Sequence, residues 1–348
     1  VLFIINDMKK LLMYIIVSVM IGTGIISCNT DIEALDIVVP DNMSEEYWEN
    51  LRAYKARNDH EVFFGWFGGW TANSADMINF LSSVPDSVDI ISIWGDYKNL
   101  SPAQIENLRY VQDVKGTRVT YTIFAHKIPD EFMSGENHEI TTSEGIEEYA
   151  KALVDTMYKY GYQGIDLDYE PGYQEFPGVP FNGPLVGPSS MWPDYMDNME
   201  IFVKALGKYI GPKSGTRNLL IIDGVPYHLK QGLAEYFNYG VVQSYNSPSY
   251  SDLQSRFDNA ARNGWKPEQY IFAETFEGGK YVNGGVLHTL REGGTVPSLE
   301  GMARFLPMYE GKLATRKGGC GTYHMENDYR SNPNYKWTRE AIRIMNEH

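Results

Sequence analysis

From Val62 onward the chain alternates between two hydrophobic patterns. Short apolar or β-branched runs are followed by longer stretches whose apolar residues recur every three or four positions. The short runs predict strands over 62–67, 88–94, 118–124, 164–169, 219–225, 240–245, 270–276 and 319–325. The clearest helix spans 142–160. Thr142 or Ser143 caps it, and Ile146, Tyr149, Ala150, Leu153, Met157 and Tyr160 form one stripe. Further helices are expected to start at Ser101-Pro102, with proline in a first turn, near Pro193, and at Ser251-Asp252, Ser298-Leu299 and Trp337-Thr338. A shorter one is expected over about 44–58, after a polar, acidic tether.

Eight strands, each followed by a helical segment, predict an α/β fold of the (β/α)8 TIM barrel type over residues 60–348. The rival is an open, doubly wound sheet, which normally carries a glycine-rich phosphate turn after its first strand. Here Phe64-Gly65-Trp66-Phe67-Gly68-Gly69-Trp70 has glycines but no GxGxxG spacing. The longest insertion follows the fourth strand, over 171–192. It is rich in proline and glycine and carries Tyr173, Phe176, Phe181 and Trp192, as expected of a functional loop.

The N-terminus reads as an address. Met8-Lys9-Lys10 precedes an uncharged run of 17 residues from Leu11 to Ser27, the charged-then-apolar layout of an export signal. It ends Ile25-Ile26-Ser27-Cys28, which resembles the lipobox of bacterial lipoproteins. The resemblance implies a signal peptide over 1–27, lipidation of Cys28, a tether over 28–59 and attachment to the bacterial cell envelope. A single membrane span is the alternative, but the run is near the lower length limit.

Charge narrows the partners. The 348 residues carry 30 Lys and Arg against 45 Asp and Glu, a formal charge of −15, so a phosphate backbone would be repelled and nucleic acid is not an expected partner. Two cysteines cannot build a disulfide scaffold, and Cys320 is expected to be buried and inert. There is no CxxC or HExxH spacing, so no metal or cofactor is expected. A monomer is expected. Aromatics are 14%, a composition that often accompanies surfaces that stack on sugars or bases.

The most informative stretch is Gln163-Gly164-Ile165-Asp166-Leu167-Asp168-Tyr169-Glu170. A strand alternates faces, so Asp166, Asp168 and Glu170 share one side and Ile165, Leu167 and Tyr169 the other. In a barrel the acids climb the interior, with Glu170 nearest the C-terminal rim where active sites form. Crowding and burial raise carboxylate pKa values, giving the protonated acid that general acid catalysis needs. A solvated edge would lack the apolar partner face, and a metal site would need more oxygen ligands.

This stretch resembles the DGxDxDxE signature of family 18 glycoside hydrolases, the chitinases and endo-β-N-acetylglucosaminidases, with Gln163 in place of the first Asp. The resemblance implies that Glu170 protonates the departing glycosidic oxygen and later activates water. The substrate's own 2-acetamido oxygen attacks the anomeric carbon and gives an oxazolinium, so no protein nucleophile is needed; this family is an exception to the two-carboxylate scheme. Asp168 holds the acetamido group, and Asp166 shares a proton with Asp168 from below. An N-acetylglucosamine-containing glycan or glycoprotein is the implied partner, cleaved with retention.

Three later strands add candidates. Gln243 and Tyr245, followed by Asn246, resemble the Gln-x-Tyr pair of the endo-β-N-acetylglucosaminidase branch, where many chitinases place Met-x-Tyr-Asp. A polar interior layer is the plainer reading. Glu274 ends the seventh strand as a sugar-hydroxyl ligand or a structural ion-pair partner. The eighth offers Tyr323 as a stacking contact, and Trp66, Trp70 and Trp94 are candidates for the cleft wall. The expected activity is a retaining endo-β-N-acetylglucosaminidase acting on the core of N-linked glycans. The alternatives are a chitinase, or a silent glycan-binding lipoprotein on the same fold.

Overall fold

The computed structural model describes residues 43–346, apart from 177, 178, 188, 189 and 191. Cys28 and the export segment lie outside the described residues. The compact unit that holds the barrel begins at Trp48.

Eight parallel strands close on themselves: β1 Val62–Phe67, β2 Ile90–Ile93, β3 Arg118–Phe124, β4 Gly164–Tyr169, β5 Leu219–Gly224, β6 Tyr239–Gln243, β7 Tyr270–Thr275 and β8 Gly319–Tyr323. Each pairs with its sequence neighbours, and Val62 of β1 lies opposite Gly319 of β8 to complete the ring. This is the (β/α)8 barrel expected from the alternating pattern.

The helices are α1 Glu45–Lys55, α2 Pro102–Arg109, α3 Ser143–Tyr160, α4 Tyr195–Gly207, α5 Tyr250–Arg262, α6 Ser298–Arg304 and α7 Lys336–Asn346. Their starts follow local chemistry. The Ser101 hydroxyl accepts from the Gln104 N–H in a reciprocal capping box, and Thr142 accepts from the Gly145 N–H. Gly161 ends α3 at φ 76°, where its N–H reaches the Met157 carbonyl at 2.9 Å. Two expected helices are absent. Between β1 and β2, and between β5 and β6, the described residues form only short 3-10 turns, over Met77–Asn79 and Leu81–Ser83, and Pro226–His228 and Ala234–Tyr236. The 171–192 loop carries its own antiparallel pair, Gln174–Phe176 with Val179–Pro180.

Several strands stop one or two residues early. The backbone turns left-handed at Gly224, Asn246 and His324, and the Ser244 N–H folds back onto the Val242 carbonyl at 2.8 Å. Strand alternation sorts the core into two layers. Phe64, Trp66, Ile221, Val241, Ile271 and Ala273 fill the lumen, while Phe63, Phe67, Ile165, Leu167, Tyr169, Phe272 and Cys320 pack outward under the helices. Burial pushes the Cys320 thiol up to about 12, so it stays a neutral core side chain. Among the described residues no helix is long and apolar enough to cross a membrane.

A buried ion pair pins the seam of the ring. Glu61, just before β1, accepts from both the backbone N–H (2.9 Å) and the Nζ of Lys317, just before β8; that Nζ also donates to the Ala303 carbonyl at 2.8 Å. Neither partner has water to fall back on. Glu61→Ala is expected to cost about 3–5 kcal/mol, because it leaves a buried ammonium unpaired, whereas Glu61→Leu with Lys317→Met recovers most of it. Urea midpoints of the three proteins check this, and equal midpoints for wild type and Glu61→Ala would refute it.

Candidate active site

The upper lumen is lined by carboxylates. Asp166 and Asp168 project inward from β4, opposite the outward set Ile165, Leu167 and Tyr169. Both are buried, and Glu170 follows at the end of the strand, half-buried. Glu170 has room there because β5 ends in Gly224 at φ 89°. A Cβ on Gly224 would stand 2.6 Å from the Tyr169 carbonyl oxygen and 2.9 Å from Glu170 Cγ.

A fourth acid joins them. Asp223 of β5 lies directly opposite Asp168 in the β4–β5 register and is buried. It was not among the candidates from the sequence. The available signal is its phase: with Leu219 and Ile221 inward, Asp223 must be inward too, one step below the rim.

Each acid is differently furnished. Asp166 sits on a hydroxyl relay. Its Oδ2 accepts from Trp66 Nε1 at 2.9 Å and Thr122 Oγ1 at 3.0 Å, while Ser92 bonds Thr122 at 2.8 Å and takes the Thr120 hydroxyl at 2.9 Å. Burial pushes its carboxyl up to about 6, with the hydrogen bonds opposing the rise. Asp168 is driven well above the carboxylate range by burial, and then by the charges of Glu170 and Asp166. Asp223 is driven up by burial, and then by Asp168 and Asp166. Glu170 is raised by burial, with Gln243 pulling the other way. One Asp168 oxygen and one Asp223 oxygen have no hydrogen-bond partner. Four such groups share protons as a set.

Around the acids stand amide and ring groups. Gln243 Nε2 donates to Asp223 Oδ1 at 3.0 Å. Tyr245 is held as a neutral phenol by burial and by the charges of Asp223 and Asp168. Its ring stacks on Tyr323 at 6.0 Å, and Tyr323 meets Trp94 edge-on at 5.3 Å and Trp66 at 6.1 Å. Phe124, in register with Asp168 on β3, packs against Trp94 at 5.4 Å and is 41% exposed at the mouth. Phe181 from the 171–192 loop backs it at 5.8 Å. Phe124 was missed in the sequence, although its inward phase on β3 could have found it.

Glu274 is a correction. It was a candidate sugar contact, but β7 turns Ile271 and Ala273 inward and Glu274 outward, where it is fully buried. Its carboxylate ties the start of α6 to the end of β6, accepting from the Asn246 N–H at 2.9 Å, the Thr275 N–H at 2.8 Å and the Ser298 hydroxyl. Asn246 sits beyond β6 in a left-handed turn, exposed at the rim. Trp70 also leaves the cleft: it packs in the outer core, with its N–H 3.3 Å from Asn107 Oδ1 on α2. On β8, Tyr323 faces the lumen, whereas Glu326 is buried on the Gly68 N–H at 3.0 Å.

The family model described as "Glycoside hydrolase family 18, BT1044-like" matches residues 30–344. The chain belongs to glycoside hydrolase family 18. A relative named endo-β-N-acetylglucosaminidase F2, from Elizabethkingia meningoseptica, is 26% identical over 325 residues, 85% of each chain. The solved structure of BT1044, a selenomethionine-labelled glutamate-to-glutamine variant, is 27% identical and superposes with a TM-score of 0.74 over 88% of this chain and 95% of its own. An endo-β-N-acetylglucosaminidase from Cordyceps militaris, solved as a variant with fucosyl-N-acetylglucosamine-Asn, shares the fold at 20% identity, with a TM-score of 0.62 over 87% of this chain and 97% of its own. This family-18 chain thus carries its acid ladder at the C-terminal mouth of the barrel, with Asp223 set against it.

The raised carboxyls have a consequence for stability. A carboxyl whose folded pKa exceeds its unfolded value holds its proton more tightly when folded. Its stabilising contribution is complete below the unfolded pKa near 4 and is lost as pH rises through the folded pKa, about 6 for Asp166, with Asp168 and Asp223 also well above the carboxylate range. Asp223→Asn removes one such group. Between pH 4 and pH 8 the variant should therefore lose less stability than wild type, read as urea midpoints across that range. A parallel fall in the two proteins would show that the Asp223 carboxyl is not raised in the folded chain.

Proposed function

We propose that this chain is a retaining endo-β-N-acetylglucosaminidase that cleaves between the two core N-acetylglucosamines of N-linked glycans by substrate-assisted catalysis. The observation that carries the reading is the position of Glu170. It is a half-buried carboxyl with a raised pKa, at the rim, directly above a buried aspartate whose own carboxyl is raised by burial and by the charges of Glu170 and Asp166. The relative named endo-β-N-acetylglucosaminidase F2 supports it.

In this mechanism Glu170 donates its proton to the departing glycosidic oxygen as the acetamido oxygen closes on the anomeric carbon. Asp168 accepts the acetamido N–H and stabilises the oxazolinium charge. Asp166 and Asp223 take up and return the proton that lets Asp168 bear charge at that moment. Tyr245 and Gln243 orient the acetamido carbonyl from β6, and Tyr323 and Trp94 form the wall against which the ring is held. Glu170, now a carboxylate, then takes a proton from the incoming water as the water oxygen bonds the anomeric carbon and the bond to the acetamido oxygen breaks, which regenerates the acid and gives retention.

Glu170→Gln is expected to lower turnover on the order of 10²–10⁴-fold while leaving glycan binding intact. Asp168→Asn should slow cleavage of the glycoprotein yet still process a supplied sugar oxazoline. Mass spectrometry of a glycoprotein with defined N-glycans should find one N-acetylglucosamine left on each asparagine. A bare asparagine, or full turnover by Glu170→Gln, would overturn the reading.

The chain is further proposed to be a lipid-anchored protein of the bacterial envelope, supported by Ile25-Ile26-Ser27-Cys28 after an apolar run. Expressed with its leader, it should partition into detergent, and Cys28→Ser should move it to the aqueous phase. Equal partitioning of both would end that proposal.

A further inference from the structure

The N-terminal end of the barrel, opposite the acid ladder, carries a second chemistry. A cavity of about 580 Å³ opens there among the starts of β1, β2, β3, β5 and β6. Arg52, Lys55, Arg57, Arg118, Arg217 and His60 line it. In a chain of net charge −15, four guanidinium groups around one cavity, with a lysine that burial lowers to about 8, are a marked local excess.

The cavity's acid is already engaged. Asp89 accepts from His60 Nε2 at 2.9 Å and from the Phe63 N–H at 2.9 Å. Arg57 pairs with exposed Asp59 at the edge. Arg52 and Lys55 donate to backbone carbonyls, Arg52 to Val114 at 3.0 Å and Lys55 to Val88 at 2.7 Å. Arg118 likewise reaches only the carbonyls of Arg217 and Gln163. Among the described residues no carboxylate pairs with Arg118 or with Arg217, and the Arg217 guanidinium has no hydrogen-bond acceptor. The buried ring of His60 leaves Nδ1 without a partner.

Carbonyl contacts explain part of this, because helix C-termini gather at this end and favour cations. They do not explain the open volume that Arg118 and the exposed Arg217 flank. Guanidinium groups that lack carboxylates and line a cavity match the planar, multidentate demands of a phosphoryl group.

We propose that this cavity binds a phosphoryl group, with Arg118 and Arg217 as its principal ligands and Lys55 at its wall. The phosphoryl group can come from a soluble phosphate ester or from a phospholipid headgroup, and the same residues serve both.

The full chain is titrated by calorimetry with inorganic phosphate and with pyrophosphate, at ionic strength matched by sodium chloride. In parallel it is sedimented with phosphatidylcholine vesicles, with and without phosphatidylglycerol. Wild type should bind saturably in at least one arm, and Arg217→Ala should weaken that binding at least tenfold, with Arg217→Glu abolishing it. Both variants should keep the wild-type circular dichroism and glycan cleavage, since neither touches the acid ladder. Binding in the soluble arm identifies a free phosphate ester; binding confined to the anionic vesicles identifies a headgroup. No saturable binding in either arm, or wild-type affinity in Arg217→Ala, overturns the proposal. Loss of glycan cleavage in Glu170→Gln leaves this test unaffected, so the two readings fail separately.

Discussion

Like charges that cannot escape one another set the chemistry of this protein. Closing the sheet forces every second residue of β4 and β5 into one narrow lumen, and Asp166, Asp168 and Asp223 arrive there together. Water cannot screen them: burial raises every carboxyl of the set, the charges of Glu170 and Asp166 add to the rise at Asp168, and those of Asp168 and Asp166 to the rise at Asp223. A set of acids that shares protons among its members can change the charge on Asp168 without exchanging a proton with bulk water. An isolated surface aspartate, ionised throughout the neutral range, could not do this.

The rest of the barrel supports that crowding in layers. The lower lumen is apolar, built of Phe64, Ile221, Val241 and Ile271, so the acids have no exit downward. The Thr120, Ser92 and Thr122 hydroxyls and the Trp66 indole satisfy the deepest acid from the side. Glu274 and its three donors lock the turn after β6, which in turn sets where Gln243 and Tyr245 stand. Glu274 therefore acts on the site only through the backbone it fastens.

Much of this was legible in the residues. The eight strands, the capped α3 and the shared face of Asp166, Asp168 and Glu170 follow from local periodicity, which is a property of consecutive residues. Asp223 and Phe124 were not found because each is a single residue at the end of a run, and its importance depends on which strand lies beside it. Glu274 was misplaced for a related reason: a carboxylate at a strand end looks the same from either face until Ile271 and Ala273 are seen to occupy the lumen. The missing helices after β1 and β5 escaped because those segments were counted as repeats of a pattern rather than measured for an apolar stripe. Gln163, the departure from the family signature, lies at the opposite end of β4 from Glu170, lining the N-terminal cavity, which is why it leaves the acid ladder intact.

The two ends of the barrel are therefore electrically unlike. Carboxyls gather at the C-terminal mouth and guanidinium groups at the N-terminal one. Parallel topology favours this division, since every helix presents its carbonyl end to the N-terminal face and draws cations there. The separation of acids from bases along the barrel axis is thus written into the topology itself, strand ends carrying the one and helix ends gathering the other.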